Sequence, residues 1–396
     1  MSVTGEAARD TARSGADVVK AAELLAPEFA ERAAEGERLG QLPADLFTKA
    51  QDAGLIDLML PRALGGLELD PLTVVEVIST ISAADGSAGF TILTLNATCY
   101  VAWLAEDAAR TVLAGEPRAV ATVFTPRGSA VPQDDGSLLV TGRWPFNTGC
   151  RNASWFCNGV MVLDGDKPAV VPPGRPDWRL VFAPREQCGI LDTWDVAGLK
   201  GTGSNDTVME RVRVTPEFTA NPIFEPPRHD GPLYRWSFFA LMGVQFAGFP
   251  LGIARRALDE FVALAPKKSR GSKPLAQEQS VQLAVARCEA DLRSAKALVT
   301  DVMGAAWERT LRGDEMSMDD RVAVRLATGR AIRAGVEVVD TVFRLAGGGA
   351  LYGSSPLQRC WRDLNAGSHH GYFSEYHETR VGRALLGVPV PDPWMM

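Results

Sequence analysis

Apolar positions recur at helical spacing through the first third of the chain. Ala21, Leu24, Leu25, Phe29 and Ala33 fall on one face, and Leu46, Ala50, Ala53 and Leu55 continue the pattern. Gly65-Gly66 and Pro71 interrupt it, and residues 72–83 resume it until Asp85-Gly86. Residues 87–104 carry few charges, which predicts a helix buried on most sides. From Ala119 to about Pro222 the texture changes to short β-branched runs (119–124, 138–141, 156–163, 169–171), parted by turns such as Asp134-Asp135-Gly136 and Asp164-Gly165-Asp166. Residues 208–214 alternate as a half-exposed strand would. Helical periodicity then returns in three long stretches, 237–265, 277–311 and 319–345, joined by Gly271-Ser272-Lys273-Pro274 and Arg312-Gly313-Asp314. Such lengths suit an antiparallel bundle. The pattern predicts a helical domain over 1–118, a β domain over 119–225 and a helical bundle over 226–396.

Composition narrows the classes. A chain of 396 residues exceeds one simple core and fits two or three domains. A net charge of -7 leaves no basic footprint for nucleic acid. The six cysteines are scattered without a C-x-x-C pair, so they read as reduced thiols rather than metal ligands. Met1 to Arg13 is polar and lacks the apolar core of a secretory signal. Residues 238–254 approach the apolar length of a membrane span, but Gln245 and Pro250 within them favour a buried bundle helix. A cytoplasmic protein, off the membrane, is expected.

The densest chemistry lies in residues 356–370, directly after Gly347-Gly348-Gly349. This stretch holds His369 and His370, two of only four histidines, and imidazoles titrate near neutral pH. By residue type alone, a histidine more often caps a helix or meets solvent than takes part in catalysis. On one ideal helix His370 shares a face with Asp363 and Ala366, and His369 with Arg362 and Asn365. Helical geometry does not choose between them.

Four further motifs occur in order: Leu60-Pro61 followed by Gly65-Gly66, Thr125-Pro126-Arg127-Gly128-Ser129, Gly142-Arg143-Trp144-Pro145-Phe146-Asn147-Thr148-Gly149, and Gly198-Leu199-Lys200-Gly201-Thr202-Gly203-Ser204 ahead of Val212-Arg213-Val214. With the helix–β–helix order, they resemble the acyl-CoA dehydrogenase superfamily over nearly the whole chain. The resemblance implies an α+β fold with an N-terminal helical domain, a central β-barrel or sandwich and a C-terminal four-helix bundle. It also implies a homotetramer with flavin sites between subunits. The dehydrogenases place a glutamate base a little after the Arg-Asp pair; here that position falls near Gly371, with Tyr372 next. Met242 stands where some branched-chain members carry the base. Residues 361–370 instead resemble the two-component flavin-dependent monooxygenases (group D), where a histidine at the position of His370 serves the site, with His369 as the second candidate. Such enzymes take reduced flavin, FADH2 or FMNH2, from a separate NAD(P)H-flavin reductase. They react it with O2 to a C4a-hydroperoxyflavin and pass one oxygen atom to an aromatic, indolic or amine-bearing small molecule. The rival readings are a dehydrogenase or oxidase with its carboxylate moved to Glu375 or Glu378, and a non-catalytic member that keeps the fold for binding.

The same resemblance distributes the remaining roles. Thr148 would meet flavin N5, with Phe146 against the ring and Gly149 beside it. Thr125, Gly128 and Ser129 would reach the polar edge or phosphates, as would Thr202 and Ser204, whose plainer reading is a turn at a strand start. Arg270 would contact the nucleotide half of a flavin held mainly by the neighbouring subunit, and Gly348 and Gly349 would allow close backbone approach. His370 would act as a base on the substrate or as a hydrogen-bond donor. On the substrate side the chain reads Leu95-Asn96-Ala97-Thr98 where related oxygenases carry another histidine. Asn96 and Thr98 are therefore the candidates there, and Phe246 is a candidate pocket aromatic or plain core.

Overall fold

The computed structural model describes residues 13–172 and 174–396, so most of the leading polar segment lies outside the described residues. Helix α1 (Gly15–Leu39) opens on a capping box between Ser14 and Asp17 and stops at Gly40, whose left-handed backbone (φ 63°) suits glycine. Helix α2 (Ala44–Asp52) follows, then α3 (Pro71–Ala84), capped by Asp70, and α4 (Gly86–Leu95), capped by Asp85. The predicted single helix over 87–104 is broken here. After Leu95 the chain tightens into a 3-10 segment, Asn96–Trp103, before α5 (Glu106–Leu113). Side-chain hydrogen bonds to backbone explain the break. Asn96 accepts from Leu58 N–H (3.0 Å) and donates to the carbonyls of Leu55 and Ile92. Thr98 donates to the Leu95 carbonyl and accepts from Val120 N–H, tying this segment to the first strand.

The central region is one eight-stranded sheet plus a small hairpin. Strands β1 (Val120–Pro132), β2 (Leu138–Trp144) and β3 (Trp155–Asp164) are followed by the short β4 (Lys167–Pro168) and the hairpin β5/β6 (Val170–Val171, Arg175–Pro176). Strands β7 (Trp178–Pro184), β8 (Gly189–Leu191), β9 (Asp206–Val214) and β10 (Thr219–Ala220) complete it in the order β10-β7-β3-β1-β2-β9-β8, with β4 on β3. All pairs in this sheet are antiparallel except β1 with β3, whose parallel register shifts between Val123 and Gly128. Trp144 is fully buried and donates its indole N–H to the Gly159 carbonyl (2.7 Å). Gly128 and Gly142 make room for that indole: a Cβ would sit 2.2 Å from it at Gly128 and 2.8 Å at Gly142.

Three long helices return close to their predicted bounds: α6 (Phe238–Leu264), α7 (Gln279–Leu311) and α8 (Met318–Ala346). The two-residue strands β11 (Ser269–Arg270) and β12 (Lys273–Pro274) form the hairpin between α6 and α7. Helix α9 (Pro356–Ser368) packs on α6 and α8, and α10 (Glu375–Leu385) closes over α8. By length and composition α6 would pass as a membrane span, yet 94% of its apolar window is buried inside the fold. Its Gly248 and Gly252 lie against the backbone of α3, where a Cβ would come within 2.4 Å of the Val75 carbonyl and 2.1 Å of the Ser79 carbonyl. The two helical regions thus share one continuous hydrophobic core.

Candidate active site

Helix α9 ends at Ser368, so His369 and His370 do not share a helix face with Asp363 or Arg362. His369 is the exposed C-cap. His370 turns inward: its ring centroid lies 4.4 Å from Phe246 and 6.0 Å from Phe90. Its Nδ1 accepts the backbone N–H of Tyr372 (3.2 Å), capping the short turn Gly371–Phe373. The remaining nitrogen, Nε2, therefore carries the proton of the neutral ring. Burial among apolar rings pushes the His370 pKa down to about 4, which keeps it neutral. A neutral imidazole with Nδ1 engaged presents an N–H donor; the base role would break the turn's hydrogen bond. Phe246 is buried beside it and stacks on Tyr372 at 5.2 Å. Glu378 is ion-paired with Arg333 and Glu375 is exposed in the first turn of α10.

The loops carrying Thr148, Thr202 and Ser204 meet through hydroxyls. Thr202 donates to the Leu199 carbonyl (2.9 Å), so Ser204 must donate to Thr202 (2.7 Å) and Thr148 to Ser204 (2.8 Å). The Thr148 proton is thus consumed inside the protein, and its Oγ offers only lone pairs to a ligand. The Thr148 N–H is also engaged, on the Phe146 carbonyl (2.9 Å). Phe146 has a left-handed backbone (φ 63°), rare for a non-glycine, and its ring is 69% exposed against the edge of Trp194. An apolar ring held outward by a strained backbone fits a planar ligand that would cover it. Gly149 lies against Leu95 of α4, which also carries Phe90, so α4 links this loop to the His370 side.

Arg362 and Asp363 fix the frame rather than the imidazole. Asp363 accepts the Leu199 N–H (2.7 Å), and Arg362 binds Glu37 of α1 (2.6 Å) and the Ala197 carbonyl (2.8 Å). Gly198 permits this approach: its Cβ would lie 2.0 Å from the Arg362 carbonyl.

The other expected residues divide. Asn96 and Thr98 are buried and committed to backbone partners, which removes them as substrate ligands. Gly128 is explained by the Trp144 indole rather than by a ligand. Thr125 is exposed where the β1–β3 register slips, and Ser129 lies further along β1 with its hydroxyl near the Thr141 carbonyl. Arg270 and Lys268 gather at the C-terminal end of α8, bonding the Leu345 and Ala346 carbonyls beside the exposed Gly348 and Gly349. Tyr372 and Phe90, not expected from the sequence, stand around the His370 and Phe246 rings. They come with Phe246 from three separate segments, and no local spacing connects them.

The family descriptions "Acyl-CoA dehydrogenase, N-terminal domain" and "Acyl-CoA dehydrogenase, C-terminal domain" match residues 18–111 and 244–375. The chain is 31% identical to an indole-3-acetate monooxygenase of Pseudomonas putida over 365 residues, 91% of each chain. It is 28% identical to the flavin-dependent monooxygenase oxygenase subunit HsaA of Rhodococcus jostii, covering 93% of this chain and 98% of that one. The fold matches the crystal structure of the HsaA monooxygenase from M. tuberculosis with a TM-score of 0.88 at 26% identity, over 96% of this chain and all of the other.

Proposed function

The chain belongs to the acyl-CoA dehydrogenase family, on its flavin-dependent monooxygenase side, and from that premise we propose that it is the oxygenase component of a two-component system acting on an aromatic or indolic small molecule. A separate NAD(P)H-flavin reductase is the expected partner, a homotetramer the expected assembly and the cytoplasm the expected compartment. The reduced flavin supplies the electrons that activate O2. One observation carries the reading: an imidazole, neutral and beside Phe90 and Phe246, stands one residue before Gly371, where the resemblance to the dehydrogenases would place a carboxylate.

The residues fit a reduced flavin. Its N5–H is a donor, and Thr148 Oγ is a pure acceptor by the direction of its hydroxyl chain. The exposed Phe146 ring would cover one part of the flavin's planar surface. Thr125, Ser129 and, from a neighbouring subunit, Arg270 with Gly348 and Gly349 would reach its polar end. His370 Nε2–H would donate to an oxygen at the reacting centre, and Phe246 and Phe90 would keep water away.

The test supplies reduced flavin, O2 and indole-3-acetate or a simple phenol, and counts oxygenated product against hydrogen peroxide released. Product is expected with the wild type. With His370→Ala, flavin should still bind while peroxide replaces most of the product. Anaerobic reduction of the oxidised flavoprotein by an acyl-CoA, with no oxygenated product in air, would overturn the reading.

A further inference from the structure

A pocket of about 240 Å³ opens between α8 and α10, and its chemistry is not used by the site above. Arg325 lines it and is only 5% exposed. A buried guanidinium ordinarily has an acidic partner, because an unpaired charge away from water is costly. Arg325 has no ion pair among the described residues. Its hydrogen-bond acceptors among the described residues are two neutral carbonyls, Met395 at 2.9 Å and Tyr372 at 3.4 Å, and no carboxylate.

The surroundings repeat the deficit. His377, also lining the pocket, is held neutral because burial pushes its pKa down to about 4, and its buried Nδ1 has no hydrogen-bond partner among the described residues. Arg380, one turn along α10, is 1% exposed; among the described residues its Nη2 meets Asp392 at 3.2 Å and the Tyr376 hydroxyl at 2.8 Å, while Nε and Nη1 have no partner. Glu378 also lines the pocket, but it is paired with Arg333. Leu326, Phe373, Val381 and Leu385 make up the apolar walls. A guanidinium without a carboxylate partner among apolar walls describes an organic acid better than a compact inorganic anion, which would leave the walls bare.

We propose that this pocket binds a small organic carboxylate, its acid group on Arg325 and His377 and its apolar body against Leu326, Phe373 and Val381. The site is separate from the His370 niche yet joined to it through one ring. Arg325 lies over one side of Tyr372 at 3.9 Å, and Phe246 stacks on that same ring at 5.2 Å. The inference concerns binding alone and stands whether or not the chain oxygenates a substrate.

The test uses the full-length, flavin-free chain and calorimetric titration with benzoate, benzamide and inorganic phosphate. Benzoate is expected to bind, with benzamide and phosphate about tenfold weaker or worse, because neither offers both the charge and the apolar body. Arg325→Met should weaken benzoate by about tenfold or more. Since that change also removes two internal hydrogen bonds, Gly329→Leu provides the second variant: it fills the pocket from α8 and leaves the guanidinium in place. It should abolish benzoate binding while flavin titration stays as in the wild type. No benzoate binding by the wild type, equal affinity for benzamide, or unchanged affinity in Gly329→Leu would each overturn the proposal. Separate flavin titrations show whether the oxygenase reading fails independently.

Discussion

At the scale of single residues the site turns on where protons sit. His370 is half-buried beside Phe246 and Phe90, which favours the neutral ring, and its Nδ1 is taken by the Tyr372 N–H. With a pKa pushed from the usual 6.5 to about 4, it does not titrate across the working range. The yield of product per reduced flavin should therefore show no ionisation near pH 6.5 between pH 5.5 and 8. A sigmoid centred near 6.5 that disappears in His370→Gln would refute the neutral-donor role. Thr148 makes the complementary case. Its proton is drawn inward along Ser204 and Thr202 to the Leu199 carbonyl, so its oxygen suits the N–H of reduced flavin better than the bare N5 of oxidised flavin. Ser204→Ala frees the Thr148 hydroxyl to turn and donate. The preference for reduced over oxidised flavin should fall by about fivefold to tenfold, near 1 kcal/mol, in anaerobic binding titrations. An unchanged ratio would mean the chain's direction does not matter. Neither feature was visible in the sequence. It offered His370 and Thr148 by motif, but the proton's position depends on Tyr372 and Ser204, partners met only in the fold.

At the scale of elements the sequence was most legible where one face of a helix decides everything. The three stretches predicted over 237–265, 277–311 and 319–345 correspond to α6, α7 and α8, because long periodic burial leaves few other conformations. It was least legible where side chains compete with the helix. Asn96 and Thr98 look like polar residues in an apolar helix and invite a ligand. In the fold they end α4, hold the 3-10 segment and dock it on Leu58 and Val120. The parallel pairing of β1 with β3 was equally hidden, since alternation gives no direction to a strand's partner. The contact between α3 and α6 yields a prediction that belongs to this scale. Gly248→Ala and Gly252→Ala push a methyl into the α3 backbone, whereas Gly304→Ala on α7 finds its nearest neighbour, Leu72, at 3.5 Å. Urea unfolding should show the first two destabilised by about 1–3 kcal/mol and the third unchanged or stabilised by about 0.5–1 kcal/mol. Equal effects at all three positions would deny that close backbone approach joins the two helical regions.

Across the whole molecule, the helix that precedes the paired histidines is also the junction of the three regions. Arg362 reaches α1 through Glu37, while Asp363 reaches the β region through the Leu199 N–H and lies beside Gly86 and Asp85 at the α3–α4 junction. Burial raises Asp363 to about 7, with the neighbouring Asp85 charge adding to it, and burial likewise raises Asp85 to about 6. An unfolded chain releases such protons near pH 3.8. Between about pH 4 and 7 the folded chain therefore holds protons the unfolded chain has lost, and stability from this junction falls as pH rises through that window, then levels off. Asp363→Asn keeps the acceptor for Leu199 and removes the titration. Relative to the wild type it should gain stability as pH rises from 5 to 8, by on the order of 2 kcal/mol, read as a widening difference in chemical denaturation. Asp85 is raised less far, to about 6, so Asp85→Asn should show the same direction with a smaller slope. A difference between Asp363→Asn and wild type that stays constant from pH 5 to 8 would mean that Asp363 does not hold its proton in the folded chain. The three regions would then be joined by geometry alone.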